Sequence, residues 1–183
     1  AVYLDTNSTK NVSCFGGNDG NAIVNASGGS TPYAYTWNTN PVQNASTATN
    51  IKAGNYMAYV TDLNGCSDTV YLTITEPTVI AITSIETKPS CKGNCDGQAT
   101  ATVSGGSAPY NYSWNTSLIQ TTATATNLCA GTYTLTVTDA KSCIAYLNVT
   151  ISEPTELSIG FNSTNISCNG KNDGQSIASI SGG

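Results

Sequence analysis

The chain has 183 residues, of which only 9% are charged; it has no histidine, all six basic residues are lysine, and the formal net charge is −5. An acidic chain with so few cations offers no basic patch to neutralise phosphates, which excludes nucleic-acid binding. The lack of histidine removes the commonest general base and imidazole metal ligand, and no apolar run approaches the length of a membrane span.

In chain order, the first unit opens with a strand that leads to Cys14, followed by a tight turn over Phe15-Gly16-Gly17-Asn18-Asp19-Gly20. The next strand alternates, with Ala22, Val24 and Ala26 facing inward. Then comes Gly28-Gly29-Ser30-Thr31-Pro32-Tyr33-Ala34-Tyr35-Thr36-Trp37-Asn38. The glycine pair breaks a strand, the proline sets a turn, and Tyr33, Tyr35 and Trp37 start a new strand on one face. A polar loop and a weak strand over Ser46–Asn50 precede Ala53-Gly54-Asn55-Tyr56. Tyr56, Ala58 and Val60 then alternate, a short turn covers Asp62-Leu63-Asn64-Gly65, and Val70, Leu72 and Ile74 face inward on the last strand.

All of this repeats. Gly105-Gly106-Ser107-Ala108-Pro109-Tyr110-Asn111-Tyr112-Ser113-Trp114-Asn115 lies 77 positions after its first copy, and Gly182-Gly183 begins a third. The expected domains are 1–77, 78–154 and the N-terminal part of a third repeat at 155–183. In that third part Ser176, Ala178 and Ile180 are the expected inward set. The joints, Thr75-Glu76-Pro77 and Ser152-Glu153-Pro154, contain no flexible linker. Because Ala1 aligns with Thr78, the chain reads as a window on a longer array.

Six or seven short antiparallel strands, a tryptophan on the third and a tyrosine opening the penultimate one describe an immunoglobulin-like sandwich. The fold class is therefore all-β: tandem immunoglobulin-like antiparallel β-sandwich modules stacked end to end. Lettered as in immunoglobulins, the strands run A, B, C, E, F and G.

The string Cys-x-Gly-x-x-Asp-Gly, Gly-Gly-Ser-x-Pro-Tyr-x-Tyr-x-Trp, Ala-Gly-x-Tyr, Val-Thr-Asp and Glu-Pro resembles the SprB-type repeats of long gliding-motility surface adhesins of Bacteroidetes. The resemblance spans the chain. The second repeat departs by adding Cys95 and Cys129, and by having Lys141-Ser142-Cys143 for Asn64-Gly65-Cys66. It implies type IX secretion, an extracellular location at the bacterial cell surface and a role in adhesion or gliding. It brings no catalytic residues and no cofactor. The expected function is a disulfide-stapled spacer or stalk, and the alternative is an accessory carbohydrate- or protein-binding module attached to a secreted enzyme. The partners it implies are neighbouring repeats of the same chain, with lateral filament partners or surface glycans beyond them.

The residues themselves point away from catalysis. The carboxylates that both repeats keep, Asp19/Asp96, Asp62/Asp139 and Glu76/Glu153, fall at turns and joints, where they cap backbone N–H groups. Asn18-Asp19-Gly20 supplies too few carboxylates for calcium, and Cys91 to Cys95 lacks the second ligand pair of a zinc site. Tyr59 and Tyr71 suit a sugar platform, but the second repeat has Thr136 and Asn148 in their places. Nine Asn-x-Ser/Thr triplets occur, Asn25, Asn111 and Asn148 among them, and Asp68-Thr69-Val70 looks like an O-glycosylation motif centred on Thr69.

Seven cysteines in a thin-cored chain indicate an oxidising compartment. Cys95 and Cys129 replace Asn18 and Lys52, so they are gained together and are expected to pair. The cysteines shared by the repeats leave two schemes. Pairing within a repeat joins Cys14 with Cys66 and Cys91 with Cys143. The sandwich topology favours a cross-repeat bond, Cys14 with Cys143. Cys14 and Cys66 belong to opposite ends, roughly 20 Å apart for seven residues of strand, whereas a disulfide tolerates about 4.4–6.8 Å between Cα atoms.

Overall fold

A computed structural model describes all residues, 1–183. Every regular element is a strand. The first repeat contains β1 (Val2–Lys10), β2 (Gly20–Gly28), β3 (Ala34–Trp37), β4 (Thr47–Ile51), β5 (Gly54–Thr61) and β6 (Ser67–Ile74). The second contains β7 (Ala81–Thr87), β8 (Gly97–Ser104), β9 (Asn111–Trp114), β10 (Thr124–Leu128), β11 (Gly131–Thr138) and β12 (Ile144–Ile151). A hairpin of β13 (Ser158–Thr164) and β14 (Gln175–Ser181) follows.

The sheets are ordered β1-β2-β4 and β3-β5-β6, then β10-β8-β7 and β12-β11-β9. Six strands split as A-B-E and C-F-G give the immunoglobulin arrangement without its D strand. The fold is all-β, antiparallel and immunoglobulin-like.

Proximity in space groups the residues into two compact units, each drawn from separate segments of the chain. The first holds Ala1–Ala81 together with Ser104–Tyr110 and Thr138–Ala145; the second holds Ile82–Val103, Asn111–Val137 and Tyr146–Gly183. In the first unit one core cluster takes Val2, Leu4, Ala22, Val24 and Ala48 from one sheet and Trp37, Ala58, Val60 and Ile74 from the other. Trp37 is fully buried and its indole N–H donates to the Ala45 carbonyl at 2.8 Å, so the largest side chain leaves no polar atom unpaired. In the second unit Trp114 does the same with Thr122, and Ala99, Leu135, Val137 and Ile151 are buried at the equivalent positions.

Two features differ from the alternation read in the sequence. Strand β1 stops at Lys10, so Cys14 lies in the turn beyond it. Val12, in that connection, is buried through its N–H bond to the Thr75 carbonyl. The weak strand is shifted to Thr47–Ile51. In the third part, Ser176, Ala178 and Ile180 share the two-stranded β13–β14 sheet, and residues 155–183 contain no second sheet for them to face.

The register of β1 holds a further departure. Val2 pairs with Gly28 and Thr6 with Val24, but Ser8 pairs with Ile23, so Asn7 forms a bulge. The bulge slips the first half of the strand by one residue, and Val2 and Leu4 turn inward, both 5% exposed.

Candidate functional site

The residues that define the repeat converge on the ends of the sandwich, where they hold loops in place. At the A–B turn the Asp19 carboxylate folds back on Ser13, accepting its N–H at 2.8 Å and its hydroxyl at 2.5 Å, while Lys10 lies at 3.0 Å. Asp96 takes the Ser90 N–H at 2.9 Å and Asp173 the Ser167 N–H at 3.0 Å, so the fixture occurs three times. These bonds stabilise the ionised form, and the Ser13 hydroxyl does most to hold the Asp19 carboxyl well below the usual range. Cys14 then sits at the head of a tight turn closed by Gly17 N–H to its carbonyl at 3.0 Å; Asn94 does this for Cys91 and Lys171 for Cys168, both at 3.1 Å. The joint glutamates reach the same turns. Glu76 accepts the Gly16 N–H at 2.6 Å and Glu153 that of Gly93 at 2.8 Å.

The other fixture surrounds Asp62 and Asp139, 6% and 3% exposed. Asp62 accepts N–H groups from Ser30, Asn64 and Cys66 at 2.9–3.0 Å. Asp139 accepts those of Ser107, Lys141 and Cys143 at 2.8–2.9 Å. The Ser30 N–H is the largest cause of the lowered Asp62 carboxyl. Burial opposes ionisation of Asp139, and the N–H groups of Cys143, Ser107 and Lys141 together overcome it.

The glycine pair belongs to this fixture. Gly105 and Gly106 have φ of 75° and 62°, and a Cβ on Gly105 would collide with the Val79 carbonyl. The Tyr110 hydroxyl donates to the Gly105 carbonyl at 2.6 Å, as Tyr33 does to Gly28 at 2.5 Å. Tyr56 and Tyr133 close the remaining corner, donating to the Lys52 and Cys129 carbonyls at 3.0 and 3.1 Å, which is the tyrosine-corner bond.

The two kinds of fixture meet inside the first unit. Cys14 and Cys143 form a disulfide with Cα atoms 5.6 Å apart and 129 residues between them in sequence. Cys95 and Cys129 form the other. Cys66, Cys91 and Cys168 are free and exposed, so the within-repeat bonds Cys14–Cys66 and Cys91–Cys143 are not formed. Their failure has a geometric cause. The Cys14 turn is tied to Glu76, whereas Cys66 is tied through Asp62 to the Ser30 loop. Around the Cys14–Cys143 bond lies a cavity of about 360 Å³ lined by Phe15, Pro77, Val79, Ile80 and Ile144.

The other candidate residues are scattered. Asn25, Asn111 and Asn148 are exposed, and Asn148 accepts a hydrogen bond from the Thr134 hydroxyl at 2.9 Å. Thr69 is half-buried, and its neighbour Asp68 spends its carboxylate on the Leu4 and Thr69 N–H groups, both at 2.8 Å. Sequence reasoning missed the bond to Leu4, for which no local signal exists across 64 residues. Tyr59 and Tyr71 are 39% and 75% exposed on β5 and β6.

Among solved structures, that of an amphioxus IgVJ-C2 molecule is similar at 14% identity, covering 82% of this chain and 96% of its own, with a TM-score of 0.34. A structure described as the basis for Dscam isoform specificity matches at 12% identity, over 84% of this chain and 46% of its own, also at 0.34. No curated protein matches the chain significantly. The family model described as SprB repeat matches twice, at residues 6–42 and 83–118. Each match runs from within strand A to a few residues past the Trp-Asn pair at the end of strand C, so two successive stretches of the chain are similar to the SprB repeat.

Proposed function

We propose that the chain is a structural repeat segment of an extracellular, cell-surface adhesin or filament, a spacer whose immunoglobulin-like modules at 1–77, 78–154 and 155–183 follow one another in series. The observation that carries this reading is the Cys14–Cys143 disulfide. A cysteine of the first repeat is bonded to the Asp-mounted turn of the second, 129 residues on. Such a bond relieves the single Glu76-Pro77 strand of chain from being the only covalent connection between repeats. It also needs an oxidising compartment to persist. The SprB repeat supports a surface adhesin, and type IX export with a role in adhesion or gliding follows from that resemblance. The invariant carboxylates are occupied by backbone N–H groups, which assigns them to turn geometry and leaves repetition, reach and surface contact as the work of the segment. Neighbouring repeats are the first partners; lateral filaments or surface glycans, and sugars on Asn25, Asn111, Asn148 or Thr69, belong to the same proposal.

The test is surface accessibility on cells that make the protein. External protease or a membrane-impermeant amine label should reach these repeats on intact cells. Labelling only after lysis would overturn the reading. Peptide mapping without reductant on material from the same cells should recover a Cys14–Cys143 peptide.

A further inference from the structure

The second unit contains an open counterpart of the joint that is closed in the first. Cys91 borders a groove of about 340 Å³ lined by Pro154, Thr155, Glu156, Leu157 and Gly183. Each of these lies 77 residues beyond a residue of the closed joint: Cys14, Pro77, Thr78, Val79, Ile80 and Gly106. The backbone repeats too, with Gly106 N–H bonded to the Thr78 carbonyl at 2.8 Å and Gly183 N–H to that of Thr155 at 3.1 Å. The closed joint has a further wall, the turn carrying Asp139, Ser142 and Cys143, and through it the disulfide. Within residues 1–183 no such turn reaches the groove at Cys91, whose thiol is free and exposed.

We infer that the Cys91 groove is a docking site for a cysteine-bearing turn of the Asp-x-x-x-Cys kind from a further repeat, which it captures as a disulfide. This rests on the spacer reading and names the partner of one of its joints. Two independent observations select that occupant: the lining matches a joint that such a turn fills, and Cys91 stands on the same turn and glutamate fixture as Cys14. The rim differs in charge. Lys92 replaces Phe15, Glu156 replaces Val79, and the two form an ion pair at 2.7 Å. Capture here therefore depends more on the fixture and less on apolar contact than at the closed joint.

The reaction is thiol–disulfide exchange. A partner turn that arrives as a mixed disulfide with a low-molecular-weight thiol is attacked by the Cys91 thiolate. The new S–S bond forms, the small thiolate leaves with the electron pair, and no outside oxidant is consumed.

The experiment uses the full chain and a blocked nine-residue peptide with the sequence of residues 137–145, supplied as its glutathione mixed disulfide. Peptide mapping follows the adducts over time. Cys91 should be captured about tenfold faster than Cys66, and faster than by a scrambled peptide of the same composition. A peptide carrying Asp139→Asn should lose most of that preference, because the carboxylate that shapes the turn is gone. Equal rates at Cys91 and Cys66, or equal rates for the scrambled peptide, would overturn the docking site. A Cys14–Cys143 peptide in the same digest would show that the spacer reading survives that failure.

Discussion

Strands β1 and β13 begin equivalent repeats, yet they pair differently. In the hairpin β13–β14 the register runs without a break from Ser158–Ser181 to Thr164–Gln175. After its bulge β1 follows that same register, but before Asn7 it is slipped by one residue. The slip buries Val2 and Leu4, while Val79, the repeat equivalent of Val2, is 56% exposed and lines the closed joint. The slipped segment also gains a bond from the Leu4 N–H to Asp68. The first two repeats differ elsewhere in the same spirit. The second adds Cys95–Cys129 where the first has Asn18 and Lys52. Strand register, staples and joint lining vary from repeat to repeat, whereas the hydrogen-bonded fixtures at the sandwich ends do not. The fixtures define the module, and the rest is adjusted around them.

The comparison can be broken most severely at the closed joint. Cys14→Ser with Cys143→Ser opens a loop of 129 residues, and chain entropy alone puts the loss at about 5 kcal/mol. Thermal unfolding followed separately in the two units should show the loss in the first and little change in the second. Reversing the second repeat's gain comes next. Cys95→Asn with Cys129→Lys should cost about 4 kcal/mol of the second unit's stability, measured by urea unfolding. A loss below about 1 kcal/mol would mean that the staple adds nothing this core lacks.

The slipped strand gives a smaller effect. Leu4→Ala should cost about 2–4 kcal/mol, whereas changing Ala81, its exposed counterpart, to Ser should cost about 0.5 kcal/mol or less. Equal losses would show that β1 occupies the unslipped register in solution. Acid sharpens the comparison most finely. The carboxyls of Asp19, Asp62, Asp96 and Asp139 are all lowered from 3.8 in the folded chain. Their stabilisation is therefore complete above about pH 4 and is lost as pH falls through the folded values. Asp19 has Lys10 as an additional partner, so carboxyl NMR shifts should show Asp96 protonating at a higher pH than Asp19.

Much of this was legible in the sequence because the inward residues alternate. Ala22 and Val24, or Ala58 and Val60, leave no choice of face, and an N–H on Trp37 has to find a carbonyl nearby. The motif string marked the ends of the module before their bonds were visible. The slip of β1 was not legible. Val2, Tyr3 and Leu4 are all apolar, so alternation fits either register, and the choice is made by Asp68 on a strand 64 residues away. Val12 escaped for a related reason: it lies in a connection, where periodicity carries no information. The candidate site was legible in its residue types and opaque in its geometry, since the Ser13–Asp19 and Cys66–Asp62 contacts are made by loops whose course no pattern dictates.

The disulfide between Cys14 and Cys143 also closes a ring of polypeptide, with the Cys95–Cys129 ring nested inside it. Cutting a ring once does not divide it. A protease that hydrolyses any one peptide bond between these two outer cysteines leaves both pieces on the same molecule, joined through sulfur. Breakage then requires two events, a second cut or a reductant. Wherever a protease meets this span, the bond turns a severing cut into a nick that leaves the chain joined.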